Sequence, residues 1–234
     1  MSKRVLLKLS GEQLAGKFEH GIDPELAGWL AQEVKRTVES GSQVVIMIGG
    51  GNFVRGAQVA GGGIKRVTGD HMGMLGTMIN AIALTDIFEE NNVPTRCLSN
   101  VFAEQVAESF SHRLAEKHLQ SGRVVIIAGG VGRPYLTTDT AAVNLALELD
   151  CEIVLKATKV DGVYDKDPSK FDDAVRLEVL SYQRAVDDDG IRVMDKAAMA
   201  QAQEYGMPII IFDALTENNI QRAAHGEQIG TKIS

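Results

Sequence analysis

The chain has 234 residues, 44% of them hydrophobic, which is enough to bury a core in one large α/β domain or two small ones. Its formal net charge of −7 counts against general nucleic-acid binding, where a basic face must displace counterions. A mononucleotide stays open as a ligand, because it needs only a few cations and some backbone N–H groups.

No apolar run approaches the roughly 18 residues that a membrane-spanning helix needs. Val5-Leu6-Leu7 is broken at once by Lys8, so no signal peptide is expected, and the sequence predicts a soluble, cytoplasmic protein. Cys97 and Cys151 stand in or beside apolar runs and read as buried free thiols of a reducing compartment.

Val5 to Leu9 predicts the first strand. Asp23-Pro24-Glu25 opens a helix, with Asp as N-cap and Pro at the first helical position. Leu26, Leu30 and Val34 continue it at helical spacing, and Gly41 suits the position just past its end. Val44 to Ile48 is a second buried strand. Asp70 or its neighbours open a long helix rich in Met, Ile and Leu. A strand is expected near Thr95 to Leu98, a helix over Ala103 to Gln120, a strand at Val124 to Ala128, a helix after Asp139 and a strand at Glu152 to Leu155. The polar, acidic stretch from Asp165 to Asp189 reads as a mobile flap or a small excursion. Asp195 caps a helix that ends at Gly206, Ile209 to Phe212 is a strand, and Thr216 caps the last helix. Near-continuous apolar strands alternating with helices predict a three-layer α/β/α sandwich around a mainly parallel central sheet.

In such sheets ligands bind beyond the carboxyl ends of the strands, so the residues that follow each strand carry the functional signal. The first strand runs into Lys8-Leu9-Ser10-Gly11-Glu12. A lysine in an apolar strand either reaches solvent from a sheet edge or meets an anion. The second strand ends in Gly49-Gly50-Gly51-Asn52, with Arg55 and Gly56 beyond. Three successive glycines form either a flexible turn or a loop whose N–H groups approach a ligand, and Arg55 adds a forked donor suited to phosphate. The strand at Val124 to Ala128 leads into Gly129-Gly130-Val131-Gly132-Arg133-Pro134 and then Tyr135-Leu136-Thr137-Thr138-Asp139. Its hydroxyls and helix-start amides favour an anion, while Asp139 could serve simply as an N-cap.

Two glycine loops and Lys8 after parallel strands suggest a polyphosphate site. No GxxxxGK[ST] is present, which excludes a P-loop enzyme. Gly49 to Gly56 does not match GxGxxG, which counts against a dinucleotide-binding dehydrogenase. His20, His71, His112, His118 and His225 are scattered without the spacing of a zinc site.

Taken together, Lys8-Leu9-Ser10-Gly11, Gly49-Gly50-Gly51-Asn52 with Arg55-Gly56, and Thr137-Thr138-Asp139 resemble the amino acid kinase superfamily. Gly69-Asp70-His71-Met72-Gly73-Met74 is similar to the uridylate kinase signature. Lys156-Ala157-Thr158-Lys159-Val160-Asp161-Gly162-Val163-Tyr164, followed by Asp167-Pro168, is similar to the adenine-side segment of that family, and Arg192-Val193-Met194-Asp195 completes the ordered set. The likeness runs from about Lys3 to the C-terminus and points to bacterial-type UMP kinases.

The resemblance implies one domain over 1–234, with an acceptor-side half of about 1–150 and an ATP-side half of about 151–234. It implies transfer of the γ-phosphoryl group of ATP to UMP, with Mg²⁺ arriving on the ATP and no protein ligands for it assigned. Lys8, Leu9, Ser10 and Gly11 would contact the ATP phosphates with Gly51 and Arg55 beside them, while Thr158, Tyr164 and Asp167 would hold the adenosine half. Gly50 would contact UMP, Asp70 would bind its ribose hydroxyls, and Val131, Gly132, Arg133, Pro134, Tyr135, Leu136, Thr137 and Thr138 would wrap it. Lys8, Arg55 and Asp139 would be the catalytic set, with Asp139 orienting Lys8.

Arg133 stands where the family often has a small polar residue, which adds positive charge to the acceptor loop. The family implies a homohexamer built from dimers, with the apolar run Met72, Met74, Leu75, Met78, Ile79 and Ile82 as core and subunit interface, and with UTP as an inhibitor. Asp86, Glu89 and Glu90 would repel a triphosphate, which counts against GTP activation, and Arg96 alone is a thin basis for an effector site.

Overall fold

The computed structural model describes residues 3–59, 62–166, 168, 170–188, 191 and 193–234. Among these, strands β1 (Arg4–Leu9), β2 (Gln43–Ile48), β3 (Thr95–Ser99), β4 (Glu108–Ser109), β5 (Val124–Ala128), β6 (Ile153–Thr158), β9 (Val179–Leu180), β10 (Ile209–Asp213) and β11 (Thr231–Ile233) form one sheet in the order β4-β3-β5-β2-β1-β6-β10-β11-β9. Every pairing is parallel except β10 with β11. β7 (Val163–Tyr164) and β8 (Arg176–Leu177) pair separately as a small antiparallel ribbon.

Alternate residues of each strand enter different cores, which explains why the strand sequences are apolar throughout. Val5, Leu7, Val44, Ile46 and Ile126 pack under α2 (Pro24–Glu39), α4 (Arg66–Glu90) and α9 (Asn219–Ala224). Leu6, Val45, Met47, Ile127 and Val154 pack on the other face, under α5 (His112–Gln120), α6 (Thr138–Glu148), α7 (Tyr182–Asp187) and α8 (Lys196–Tyr205). The expected three-layer α/β/α sandwich is therefore present. None of the described helices is long and apolar enough to cross a membrane.

Several expected boundaries are correct for the expected reason. Asp23 caps α2, accepting from the Glu25 and Leu26 amides at 3.0 and 3.4 Å, and Gly41 follows the helix at φ 98°. Asp195 caps α8 by accepting from the Ala198 amide at 2.9 Å, and Gly206 ends that helix in the left-handed conformation.

Other boundaries differ. The helix expected over Ala103 to Gln120 begins only at His112, because Ser111 accepts from the Leu114 amide and β4 extends the sheet edge just before it. The helix placed near Asp70 starts a turn earlier, at Arg66, which puts Asp70 within it. Thr137, not Asp139, caps α6. Asn218, not Thr216, precedes α9, and the Thr216 hydroxyl donates instead to Asp213 Oδ2 at 2.8 Å. The Asp165 to Asp189 stretch is more than an excursion, since β9 joins the main sheet and α7 packs into the core through Ala185.

Candidate active site

β1 lies between β2 and β6: the chain builds β2 to β5 on one side of β1 and then crosses to β6 on the other, so the strand order reverses there and a crevice opens at the strand ends. A cleft of about 450 Å³ fills this position. It is lined by Lys8, Ser10 and Gly11 after β1, by Gly50, Gly51 and Arg55 after β2, and by Asp70, Gly73 and Thr77 of α4. Val131, Arg133, Leu136, Thr137, Thr138 and Asp139 close it from the loop into α6.

Lys8 is not an edge lysine. It sits on the central strand and is buried, with its ammonium 2.8 Å from Asp139 Oδ1. The other oxygen of Asp139 accepts from Lys156 Nζ, also at 2.8 Å, and Lys156 donates as well to the Val193 carbonyl. Burial by itself would raise the Asp139 carboxyl pKa, but the Lys8 and Lys156 ammonium groups outweigh it and hold the group below the ordinary carboxylate value. Burial also lowers the Lys156 pKa, which the Asp139 charge only partly restores.

Asp70 faces the cleft from the other side. Arg66 Nε reaches both of its oxygens, at 2.8 and 3.0 Å, and the Tyr135 amide donates to Oδ2 at 2.8 Å. Tyr135 adopts φ 65°, a left-handed conformation uncommon outside glycine, which aims this amide inward while its ring stays exposed. Burial pushes the Asp70 carboxyl up, and the Tyr135 amide and Arg66 guanidinium pull it below its usual range.

The glycine loops are tight as well as open. A Cβ on Gly11 would fall 2.4 Å from Asn52 Oδ1 and 2.6 Å from the Gly49 carbonyl, and one on Gly50 would fall 2.5 Å from the Gly73 carbonyl. These glycines let the loop after β2 seat directly on α1 (Gly11–Leu14) and α4, so close packing alone accounts for part of the pattern.

The remaining predicted residues divide. Leu9 is buried in the core and does not line the cleft. Gly132 and Pro134 belong to the loop over the cleft without lining it. The Thr158 hydroxyl lies 2.6 Å from the Val160 carbonyl and 3.0 Å from that of Phe212. Tyr164 donates to Asp161 at 2.7 Å. Neither lines the main cleft; Asp161 borders a separate cleft of about 240 Å³ with Arg176, Phe212 and Asp213. Asp167 and Arg192 lie outside the described residues.

Four polar residues had no site role from sequence. Lys156 pairs with Asp139, and Arg66 pairs with Asp70. Glu12 forms an ion pair with Arg55, and Asp195 accepts from the hydroxyls of Thr137 and Thr140. The strand expected to end at Leu155 runs on to Thr158, which puts Lys156 inside an apolar strand as Lys8 is, a signal that the shorter boundary hid. Among the described residues no three His, Cys, Asp or Glu side chains group to hold a metal ion, and each cleft carboxylate already has a cationic or hydroxyl partner.

A buried lysine–carboxylate–lysine group beneath glycine loops is suited to gathering phosphate oxygens and stabilising charge as it shifts between them. The model of the amino acid kinase family matches residues 3–213. The chain belongs to that family and is a kinase, a phosphotransferase. The uridylate kinase of Sulfurovum sp. (strain NBC37-1) is 48% identical over 228 residues, covering 97% of each chain. That of Xanthomonas axonopodis pv. citri (strain 306) is 48% identical over 231 residues, covering 99% of this chain and 96% of the relative. Among solved structures, the UMP kinase from Bacillus anthracis superposes with a TM-score of 0.94 at 36% identity, covering 99% of this chain and 96% of that one. The UMP kinase from Ureaplasma parvum gives 0.92 at 30% identity, covering 100% and 99%. Within the family the chain stands with the uridylate kinases.

Proposed function

We propose that this chain transfers the γ-phosphoryl group of ATP to UMP, giving UDP and ADP. The observation that carries the reading is the buried Lys8–Asp139–Lys156 group, whose Lys8 and Asp139 line the cleft together with Asp70. The attacking atom is a phosphate oxygen of UMP, already ionised, so transfer needs alignment and charge neutralisation and no general base. Lys8, Arg55 and the amides of Gly50 and Gly51 stabilise the equatorial oxygens, and Asp139 holds Lys8 in place. Asp70 accepts from the ribose hydroxyls, and Val131 to Thr138 fold over the nucleotide.

ATP enters with Mg²⁺ as part of the substrate. That cation would be held largely by phosphate oxygens and water, and no protein ligand is assigned to it. Ser10 and Gly11 take the phosphate tail, with adenosine toward Thr158, Tyr164 and Asp167. The division into an acceptor side of about 1–150 and an ATP side of about 151–234 follows the same reading.

The chain is proposed to work in the cytoplasm as a homohexamer built from dimers, with UTP as an inhibitor. GTP activation is not proposed: Arg96 is paired with Glu89 at 2.8 Å, and Asp86 and Glu90 of the same helix as Glu89 are exposed.

The test is ADP release with Mg·ATP against UMP, CMP, dUMP, aspartate, N-acetylglutamate and carbamate. Turnover with UMP is expected. Turnover with a carboxylate or carbamate alone would overturn the roles given to Asp70 and the Thr137-Thr138 loop. Binding of ATP by folded protein with no turnover would replace the kinase with a nucleotide sensor.

A further inference from the structure

Lys8 on β1 and Lys156 on β6 are register partners on adjacent parallel strands, so their side chains rise side by side from one face of the sheet. Like charges in directly opposed positions repel. These two are also poorly screened, with side-chain exposures of 10% and 14%. Asp139, at the start of α6, divides its two oxygens between them at 2.8 Å each. Lys8 and Asp139 reach the cleft wall, while Lys156 does not and instead donates to the Val193 carbonyl.

Within this trio two cations share one anion, so the trio carries one positive charge more than a Lys8–Asp139 pair would; Asp195, whose charge also acts on Lys156, is engaged by the Thr137 and Thr140 hydroxyls. We propose that Lys156 is a positioning residue: by taking half of the Asp139 carboxylate it stops Asp139 from neutralising Lys8, and so leaves Lys8 free to follow the transferring phosphoryl group. This rests on the reading of the cleft as a phosphoryl-transfer site. Without Lys156, Lys8 and Asp139 form a closed neutral pair, and that pair offers an incoming phosphate no net positive charge. A lysine that merely ties β6 to Val193 would instead affect folding, and its loss could not be compensated by removing the carboxylate.

The experiment measures kcat and the KM for UMP in wild type, Lys156→Met, Lys156→Arg, Asp139→Asn and the Lys156→Met/Asp139→Asn double variant, with folding checked by thermal unfolding. Wild-type turnover with UMP tests the underlying reading alone, and its absence would remove that reading before any variant is compared. Given that turnover, Lys156→Met is expected to lower kcat about 100-fold with the UMP KM within about threefold of wild type. Lys156→Arg, which keeps the charge, should stay within about tenfold in kcat. The double variant restores the excess positive charge and should turn over faster than Lys156→Met. A wild-type kcat in Lys156→Met, or a double variant no faster than it, overturns the proposal. Should Lys156→Met fail to fold, the double variant is compared with Asp139→Asn. The two are expected within about threefold in kcat, because without the carboxylate Lys156 has nothing to share, and a further loss of about tenfold or more overturns the proposal.

Discussion

Asn52 and Asn80 exchange side-chain hydrogen bonds, each donating its amide to the other's carbonyl, at 2.9 and 2.8 Å. Asn80 Nδ2 also lies 2.7 Å from the Gly49 carbonyl, and Asn52 Nδ2 lies 2.6 Å from that of Gly21. Both side chains are buried, so this pair joins the loop after β2 to α4 with no water in competition.

Asn80→Ala should therefore leave the Gly49 carbonyl and the Asn52 side-chain oxygen without their donor in the interior. It is expected to cost about 1–3 kcal/mol of stability, read from urea unfolding. A midpoint equal to wild type would show that the pair is not a clamp.

Lys8→Ala removes the cation nearest the proposed transfer path. Turnover should fall about 100- to 1000-fold while the UMP KM changes little, because the interaction grows in the transition state. An unchanged kcat would end the catalytic role given to Lys8.

Asp70→Asn keeps the shape of the side chain but removes the charge that binds Arg66 and draws in the Tyr135 amide. The UMP KM is expected to rise about tenfold, the scale of one hydrogen bond to a charged group, with the ATP KM unaffected. A change confined to ATP would move Asp70 out of the acceptor site.

The Asp139 carboxyl has a folded-state pKa below its ordinary value of 3.8. A depressed carboxylate pKa contributes stability that is fully present above 3.8 and is lost as pH falls through the lower folded value. The stability gap between wild type and Asp139→Asn should thus be constant from neutral pH to about pH 5 and shrink below about pH 4. Unfolding midpoints taken across that range test it, and a gap that shrinks on the alkaline side would contradict the assignment.

Leu75 and Ile79 of α4 are 53% and 48% exposed, one helical turn apart on a face that this chain leaves uncovered. If that face joins subunits, Leu75→Glu with Ile79→Glu should reduce the mass measured by light scattering while the monomer stays folded. A mass equal to wild type would place the interface elsewhere.

Most of the strands and the caps at Asp23 and Asp195 were legible locally, because apolar runs and capping residues act over a few positions. So were the glycine loops at the ends of β2 and β5. The helix begun too early at Ala103 shows the limit of that reading: its pattern holds, but the Ser111 cap and the pairing of β4 with β3 decide where it starts. Thr137 likewise displaces Asp139 from the cap position, which frees Asp139 to face the lysines.

By itself, then, the sequence determined the layers, the strand ends that carry the chemistry, and one lysine, Lys8, in an apolar strand. The tertiary structure alone decided that β1 pairs with β6, which sets Lys8 beside Lys156 and puts Asp139 between them. Strand neighbours are chosen by burial and pairing between segments far apart in the chain, and no local periodicity encodes that choice.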